Sequence, residues 1–206
     1  MNDPALKGWE RLRELVAGLV SHEDWPSFPG VEIPPPCYGA EVGVSRGWTT
    51  EHLLREFPTQ HLFLIDIWDS PPKNSDYAKS GDGHAALTVL QQRVHRDHAA
   101  KRTEFAAERR CILAMDSTEA SKTILDDTLD FAFIDGDHTY SGVKRDIEAW
   151  SPKVRPGGLL IGHDFNHPRD RRKLWGVTKA AKEFCEREGV EFHGDEKATI
   201  WWCWKP

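Results

Sequence analysis

From residue 37 to residue 188, short apolar runs alternate with stretches of helical periodicity, and no other feature restricts the fold of this chain as much. Strands are predicted at 37–43, 61–67, 111–115, 131–134 and 159–162. Helices are predicted between them at 48–57, 84–100, 119–125 and 140–150, and after the last strand at 177–188. The runs are apolar throughout rather than every second residue, as strands covered on both faces must be. Such an alternation builds a doubly wound α/β sheet, Rossmann-like and mainly parallel. An amphipathic helix over 5–20, with Leu6, Trp9, Leu12, Leu15, Val16 and Leu19 at helical spacing, opens the chain. A Pro-rich stretch over 25–36 delivers it into the first strand. Residues 190–193 and 199–204 read as two closing strands around a turn at Gly194-Asp195-Glu196. Residues 70–83, rich in Pro, Gly, Ser, Asp and Lys, read as a mobile loop. The 206 residues fit one domain, with 1–36 as helix and lead-in and 37–206 as core.

In a sheet of this kind ligands bind beyond the carboxyl ends of the strands, so the polar residues there carry the function. The first strand ends in Glu41-Val42-Gly43-Val44-Ser45-Arg46-Gly47, where glycine lets the backbone turn sharply and approach a ligand. The second ends at Asp66, an acid able to accept hydrogen bonds from both hydroxyls of a ribose. Both features fit an adenosyl cofactor. The dinucleotide fingerprint G-x-G-x-x-G is missed, because position 45 is Ser. Glu41 would be misplaced beside a pyrophosphate, whereas it suits the positive amino group of a methionine moiety. The third strand end carries Asp116 and Ser117, which either border an adenine or cap the helix that follows, or do both.

The fourth and fifth strand ends are the richest. They read Phe133-Ile134-Asp135-Gly136-Asp137-His138-Thr139-Tyr140 and Leu159-Leu160-Ile161-Gly162-His163-Asp164. Adjacent parallel strands bring Asp135, His163 and Asp164 together. Two carboxylates and an imidazole can hold a divalent cation, and oxygen-dominated ligation suits magnesium. Alternatively Asp137 caps a helix and His163 is a satisfied core histidine. His138, three residues past Asp135, has an ordinary pKa near 6.5 and can accept a proton near neutral pH. His95 and His98 stand three apart on the 84–100 helix and read as a solvated face.

These segments resemble class I S-adenosylmethionine-dependent methyltransferases, and more narrowly the small cation-dependent O-methyltransferases of the macrocin O-methyltransferase-like group. The resemblance runs over about residues 37–188. It implies a seven-stranded sheet with an antiparallel last strand. It implies S-adenosylmethionine and a divalent cation, Mg2+ first, as cofactors. The cofactor would be lined by Glu41, Gly43, Gly47, Asp66, Asp116, Ser117 and Asp135. Asp135, His163 and Asp164 fall where the family places metal ligands, and His138 where relatives carry a general base. Relatives often have Glu-Asp where this chain has His163-Asp164. The expected reaction is methyl transfer to a hydroxyl of a small molecule such as a sugar or catechol. The alternatives are a catalytically silent cofactor-binding module and an NAD-dependent oxidoreductase.

Composition narrows the partners. The formal net charge of −6 argues against a nonspecific nucleic-acid binder. No apolar stretch approaches the ~18 residues of a membrane span, and the N-terminus lacks the pattern of a secretory signal. The four cysteines form no C-x-x-C pair and read as free thiols in a reducing cytoplasm. Three of the nine tryptophans, Trp201, Trp202 and Trp204, read as packing residues of a buried last strand. Together with the first helix, that strand offers a surface for a homodimer.

Overall fold

The structure, a computed structural model, describes residues 4–20 and 37–206. The Pro-rich stretch 25–36 and the side chain of Leu6 lie outside the described residues. The elements in chain order begin with α1 (Pro4–Val20), β1 (Cys37–Val42), α2 (Trp48–Glu56) and β2 (Gln60–Asp66). Two helices on the connection to the third strand follow, α3 (Asp76–Lys79) and α4 (Val89–Arg102), and then β3 (Arg110–Ala114). Next come α5 (Ser117–Ser121), β4 (Leu129–Ile134), α6 (Tyr140–Trp150) and β5 (Val154–Gly162). The chain closes with α7 (Pro168–Arg171), α8 (Val177–Glu188), β6 (His193–Asp195) and β7 (Ile200–Trp204).

Seven strands form one sheet in the order β3-β2-β1-β4-β5-β7-β6. β1, β2, β3, β4 and β5 pair in parallel, while β7 runs antiparallel to both β5 and β6. The order reverses between β1 and β4, so the connections leaving their carboxyl ends run in opposite directions along the sheet, which opens the crevice typical of doubly wound sheets. One sheet face is covered by α5, α6 and α8, through Ala120, Val143, Ile147, Trp150, Ala180 and Ala181. The other is covered by α1, α2 and α4, through Leu12, Val16, Leu53, Leu54 and Ala99 against Phe131, Phe133 and Ile161. The opening helix therefore belongs to the core. Among the described residues no helix is long and apolar enough to cross a membrane.

The boundaries that moved have local causes. The helix expected from 84 begins at Val89, because Thr88 and Gln91 form a reciprocal capping box. The helix expected at 119–125 begins earlier and is shorter, because the Asp116 side chain accepts from Thr118 N at 2.8 Å and caps it. β5 starts at Val154 and runs through Pro156-Gly157-Gly158, expected as a turn. The register shift between Leu129 and Phe131 and the positive φ of Gly157 (72°) absorb the bend. Segment 70–83 contains α3, capped by Ser75, and is tied down where Ser70 Oγ donates to Leu87 O at 2.8 Å. Of the terminal tryptophans, Trp201 is fully buried and Trp204 is exposed. Gly162 is required opposite Trp201, because a Cβ there would stand 2.2 Å from the indole Nε1. All four cysteines are free.

Candidate active site

The carboxyl ends of β1, β2, β3, β4 and β5 surround one cleft of about 990 Å3. Every residue expected at the cofactor, the metal or the base except Gly47 lines it. The turn after β1 is built by positive φ at Gly43 (95°), Ser45 (49°) and Gly47 (75°). Asp66 at the end of β2 braces that turn. Its Oδ2 accepts from Ser45 N and its Oδ1 from Trp68 N, both at 2.8 Å. The Trp68 indole returns a hydrogen bond to Ser45 O at 2.8 Å. Burial pushes the Asp66 carboxyl upward against these amide bonds.

Glu41 is buried at the end of β1, where Thr50 Oγ1 donates to its Oε2. Burial raises its carboxyl to about 8, against the lowering effect of Thr50, with Asp135 and Asp66 adding to the rise. It is a buried acid that a nearby cation would ionise.

Asp116 is the helix cap, and that role lowers its carboxyl: burial raises it, but hydrogen bonds from Thr118 and Glu119 outweigh burial. Ser117 Oγ accepts from Trp150 Nε1 at 2.8 Å. Both residues still border the cleft.

At the ends of β4 and β5, ligand atoms of Asp135, His138 and Asp164 all lie within 4.8 Å of one another. His138 Nε2 stands 3.0 Å from Asp164 Oδ2 and 3.4 Å from Asp135 Oδ1. His163 adjoins them, with Nδ1 at 3.4 Å from Asp135 Oδ1 and 3.6 Å from Asp164 Oδ1, and Nε2 at 3.2 Å from Thr199 Oγ1. The imidazole of the compact group is thus His138, with the expected ligand His163 beside it. Asp137 does not cap α6. That cap is Thr139, whose hydroxyl accepts from Gly142 N at 3.1 Å, while Asp137 Oδ1 accepts from Thr139 N at 2.9 Å.

The cluster is strongly polarised. Burial opposes the charge of His138, yet Asp135, Asp164 and Asp82 raise its pKa well above the ordinary range. Burial likewise lowers His163, and Asp135 and then Asp164 outweigh it, to about 10. In return the carboxyls of Asp135 and Asp164 are held low despite burial.

Three participants were not singled out from the sequence. Asp82, in the 67–88 segment, is buried, and its Oδ2 stands 2.6 Å from His138 Nδ1. Trp175 stacks on the His138 ring with centroids 4.4 Å apart. Asp146 on α6 is buried at the cleft wall, its Oδ1 without a hydrogen-bond partner among the described residues and 3.8 Å from Arg145 Nε. Only Asp146 left a trace in the sequence: it stands three residues after Val143 and one before Ile147, an acid on the apolar face of α6. His95 departs from the solvated position expected of it. It is buried, its Nδ1 lies 3.2 Å from Ser45 Oγ, and its Nε2 accepts from Arg46 Nε at 2.9 Å, so it supports the glycine turn. His98 is exposed as expected.

Comparison with known proteins agrees with this architecture. The chain is 31% identical over 102 residues to the uncharacterized protein y4gI of Sinorhizobium fredii. That match takes in 50% of this chain and spans about a tenth of the length of the curated relative, 10%. Among solved structures, the O-methyltransferase NovP superposes with a TM-score of 0.65 at 17% identity, covering 97% of this chain and 80% of that one. A Corynebacterium glutamicum protein superposes with a TM-score of 0.62 at 16% identity, covering 100% of this chain and 82% of that one. At such identities these likenesses establish the fold. Residues 40–165 match the family described as "Methyltransferase domain", and the chain belongs to that family, with the fold of class I S-adenosylmethionine-dependent methyltransferases.

Proposed function

We propose that this protein transfers the methyl group of S-adenosylmethionine to a hydroxyl of a small molecule. The observation that carries this reading is the convergence of Asp135, His138 and Asp164 in the cleft that also holds Glu41, Gly43 and Asp66. The family assignment leaves an NAD-dependent oxidoreductase without support, and NovP, which shares the fold, is described as an O-methyltransferase.

The residues suit the cofactor. Gly43 lets the turn after β1 close against the Asp135 backbone, and Glu41 is a buried carboxyl hydrogen-bonded, among the described residues, by the Thr50 side chain, ready to meet an ammonium group. Asp66 retains lone pairs for a ribose beyond the two amides it accepts. Asp116 and Ser117 would border the adenine. Bound there, S-adenosylmethionine supplies a methyl group on a sulfonium and departs as the neutral thioether.

The donor set also suits a divalent cation of the magnesium or manganese kind, two carboxylates and one imidazole with room for further oxygens. Asp135, His138 and Asp164 would hold it. Such an ion lowers the pKa of a hydroxyl it binds. His163 would then receive the acceptor's proton at Nδ1. Its side chain is 28% exposed against 10% for His138, so it is the imidazole an acceptor can reach. Its upward shift comes from Asp135 and Asp164, and charge compensation at those carboxylates removes the cause. The rest of the rate enhancement comes from holding acceptor and cofactor in line. The 67–88 segment would help to exclude water.

Calorimetry with S-adenosylhomocysteine, followed by turnover with a panel of sugars and catechols with and without chelator, tests the reading. Failure to bind S-adenosylhomocysteine overturns it. Binding without turnover on any hydroxyl acceptor supports the silent binding module instead.

A further inference from the structure

We propose that Asp82 is the positioning residue that fixes which nitrogen of His138 faces Asp135 and Asp164. The proposal builds on the function proposed above, since it concerns the same cluster, and it rests on three contacts. Asp82 Oδ2 lies 2.6 Å from His138 Nδ1, in a pair that is almost entirely buried. The opposite ring nitrogen, Nε2, is the one 3.0 Å from Asp164 and 3.4 Å from Asp135. The ring plane is fixed independently by Trp175, stacked at 4.4 Å and 27°, which is itself stacked on its other neighbour, His167, at 4.6 Å.

A planar ring held by one face and one edge has no rotational freedom left. Turning the His138 ring over would put carbon where Asp82 and Asp164 now find nitrogen. With Nδ1–H donated to Asp82, Nε2 is the nitrogen offered to the cleft. A metal-binding histidine typically donates its other N–H to a carboxylate or carbonyl in this way, which sets the tautomer and raises ligand basicity.

Asp82 is itself held in place. Its amide donates to Ser80 Oγ at 3.1 Å, and its Oδ1 accepts from His84 N at 2.8 Å. Burying a carboxylate is costly unless it is paired. A segment that needed only anchoring has cheaper anchors, such as the hydroxyl–carbonyl contact of Ser70 with Leu87. The arrangement also means that the 67–88 segment must be seated for His138 to be oriented. Closing the cleft and completing the cluster become one event.

The experiment compares the full chain with Asp82→Ala and Asp82→Asn. Mn2+ binding is followed by loss of the free-ion signal in electron paramagnetic resonance. S-adenosylhomocysteine binding is measured by calorimetry on the same samples. Long-range 1H–15N spectra report the protonation of the two His138 nitrogens in metal-free protein. The proposal expects Asp82→Ala to weaken Mn2+ about 10- to 100-fold, with S-adenosylhomocysteine affinity unchanged and the His138 Nδ1 resonance shifted. Asp82→Asn keeps an acceptor oxygen and should lose less.

Unchanged Mn2+ affinity in Asp82→Ala overturns the proposal. So does an equal loss of Mn2+ and S-adenosylhomocysteine affinity in both variants, which marks Asp82 as a staple of the segment alone. If the wild-type chain binds S-adenosylhomocysteine but no Mn2+, the cation reading has failed on its own. The His138 spectrum, taken at a pH where the ring is neutral, then decides: a proton kept on Nδ1 in wild type and moved from it in Asp82→Ala upholds the role of Asp82, and the same tautomer in both ends it.

Discussion

Gly43 packs bare against the backbone of Asp135: a Cβ on Gly43 would stand 2.1 Å from the Asp135 carbonyl oxygen. The contact joins the turn after β1 to the end of β4, and Asp135 N also donates to Val42 O at 2.8 Å. The cofactor-side turn and the carboxylate cluster are therefore mechanically one object.

It follows that Gly43→Ala damages both ends of the cleft. The new methyl meets backbone, which cannot swing aside, and φ at this position is +95°. Strain and overpacking together should cost at least about 2 kcal/mol. Thermal denaturation and S-adenosylhomocysteine calorimetry are the measurements. A variant that melts and binds like wild type would show that the close approach is not obligatory.

That contact also shows what the sequence could reveal. The motif at 41–47 and the acid at 135 were legible because strand–helix alternation places the carboxyl ends of the parallel strands on one rim. Five of the seven strands could be placed to within about two residues at both ends, since buried runs have to be apolar, and β5 was placed over its second half. β6 was the poorest, three residues with one glycine and no apolar side chain. The partner of His138 was not legible. Asp82 comes from a connection whose path is set by turns and side-chain contacts rather than by periodicity. Gly81-Asp82-Gly83 looks like any solvated loop until it is seen folded inward. The burial of His95 is hidden for a related reason: α4 has few apolar residues, so its buried stripe of Gln92, His95 and Ala99 carries almost no hydrophobic signal.

Asp146 should make the fold less stable as pH rises. Burial is the main cause that raises its carboxyl from 3.8 to about 7, with the Arg145 charge and a Ser117 hydrogen bond opposing. Because the folded-state pKa lies above the unfolded one, the unfolded chain ionises first. Stability falls between about pH 4 and pH 7, by roughly 4 kcal/mol. Asp146→Asn removes that dependence. Its melting temperature should gain over wild type at pH 8 by at least about 4 °C more than at pH 5. An equal difference at both pH values would show that Asp146 is ionised in the fold.

Glu41 makes cofactor binding release a proton. In the free protein its carboxyl stands at about 8, so at pH 7 it is mostly neutral. An ammonium group brought beside it stabilises the carboxylate and lowers that value. Binding of S-adenosylhomocysteine at pH 7 should therefore expel up to about one proton. The heat of binding will then depend on the ionisation enthalpy of the buffer. The dependence should vanish in Glu41→Gln. Buffer-independent heats at pH 7 in the wild-type protein would mean that Glu41 does not meet the amino group.

His138 and His163 should separate under substitution. His138 is buried, stacked on Trp175 and backed by Asp82, whereas His163 is the more exposed and has the Thr199 hydroxyl, not a carboxylate, at its far nitrogen. His138→Ala removes an imidazole from the compact donor set, so Mn2+ affinity should fall by about tenfold or more, with turnover falling alongside unless the ion is added in excess. His163→Ala leaves that set intact, so Mn2+ affinity should stay within about threefold, while kcat falls about 10²- to 10⁴-fold with little change in KM. Small imidazoles added in solution should restore part of the lost kcat to His163→Ala and none to His138→Ala. The reverse pattern, with Mn2+ lost in His163→Ala and imidazole rescue in His138→Ala, would exchange the two roles and make His138 the proton acceptor.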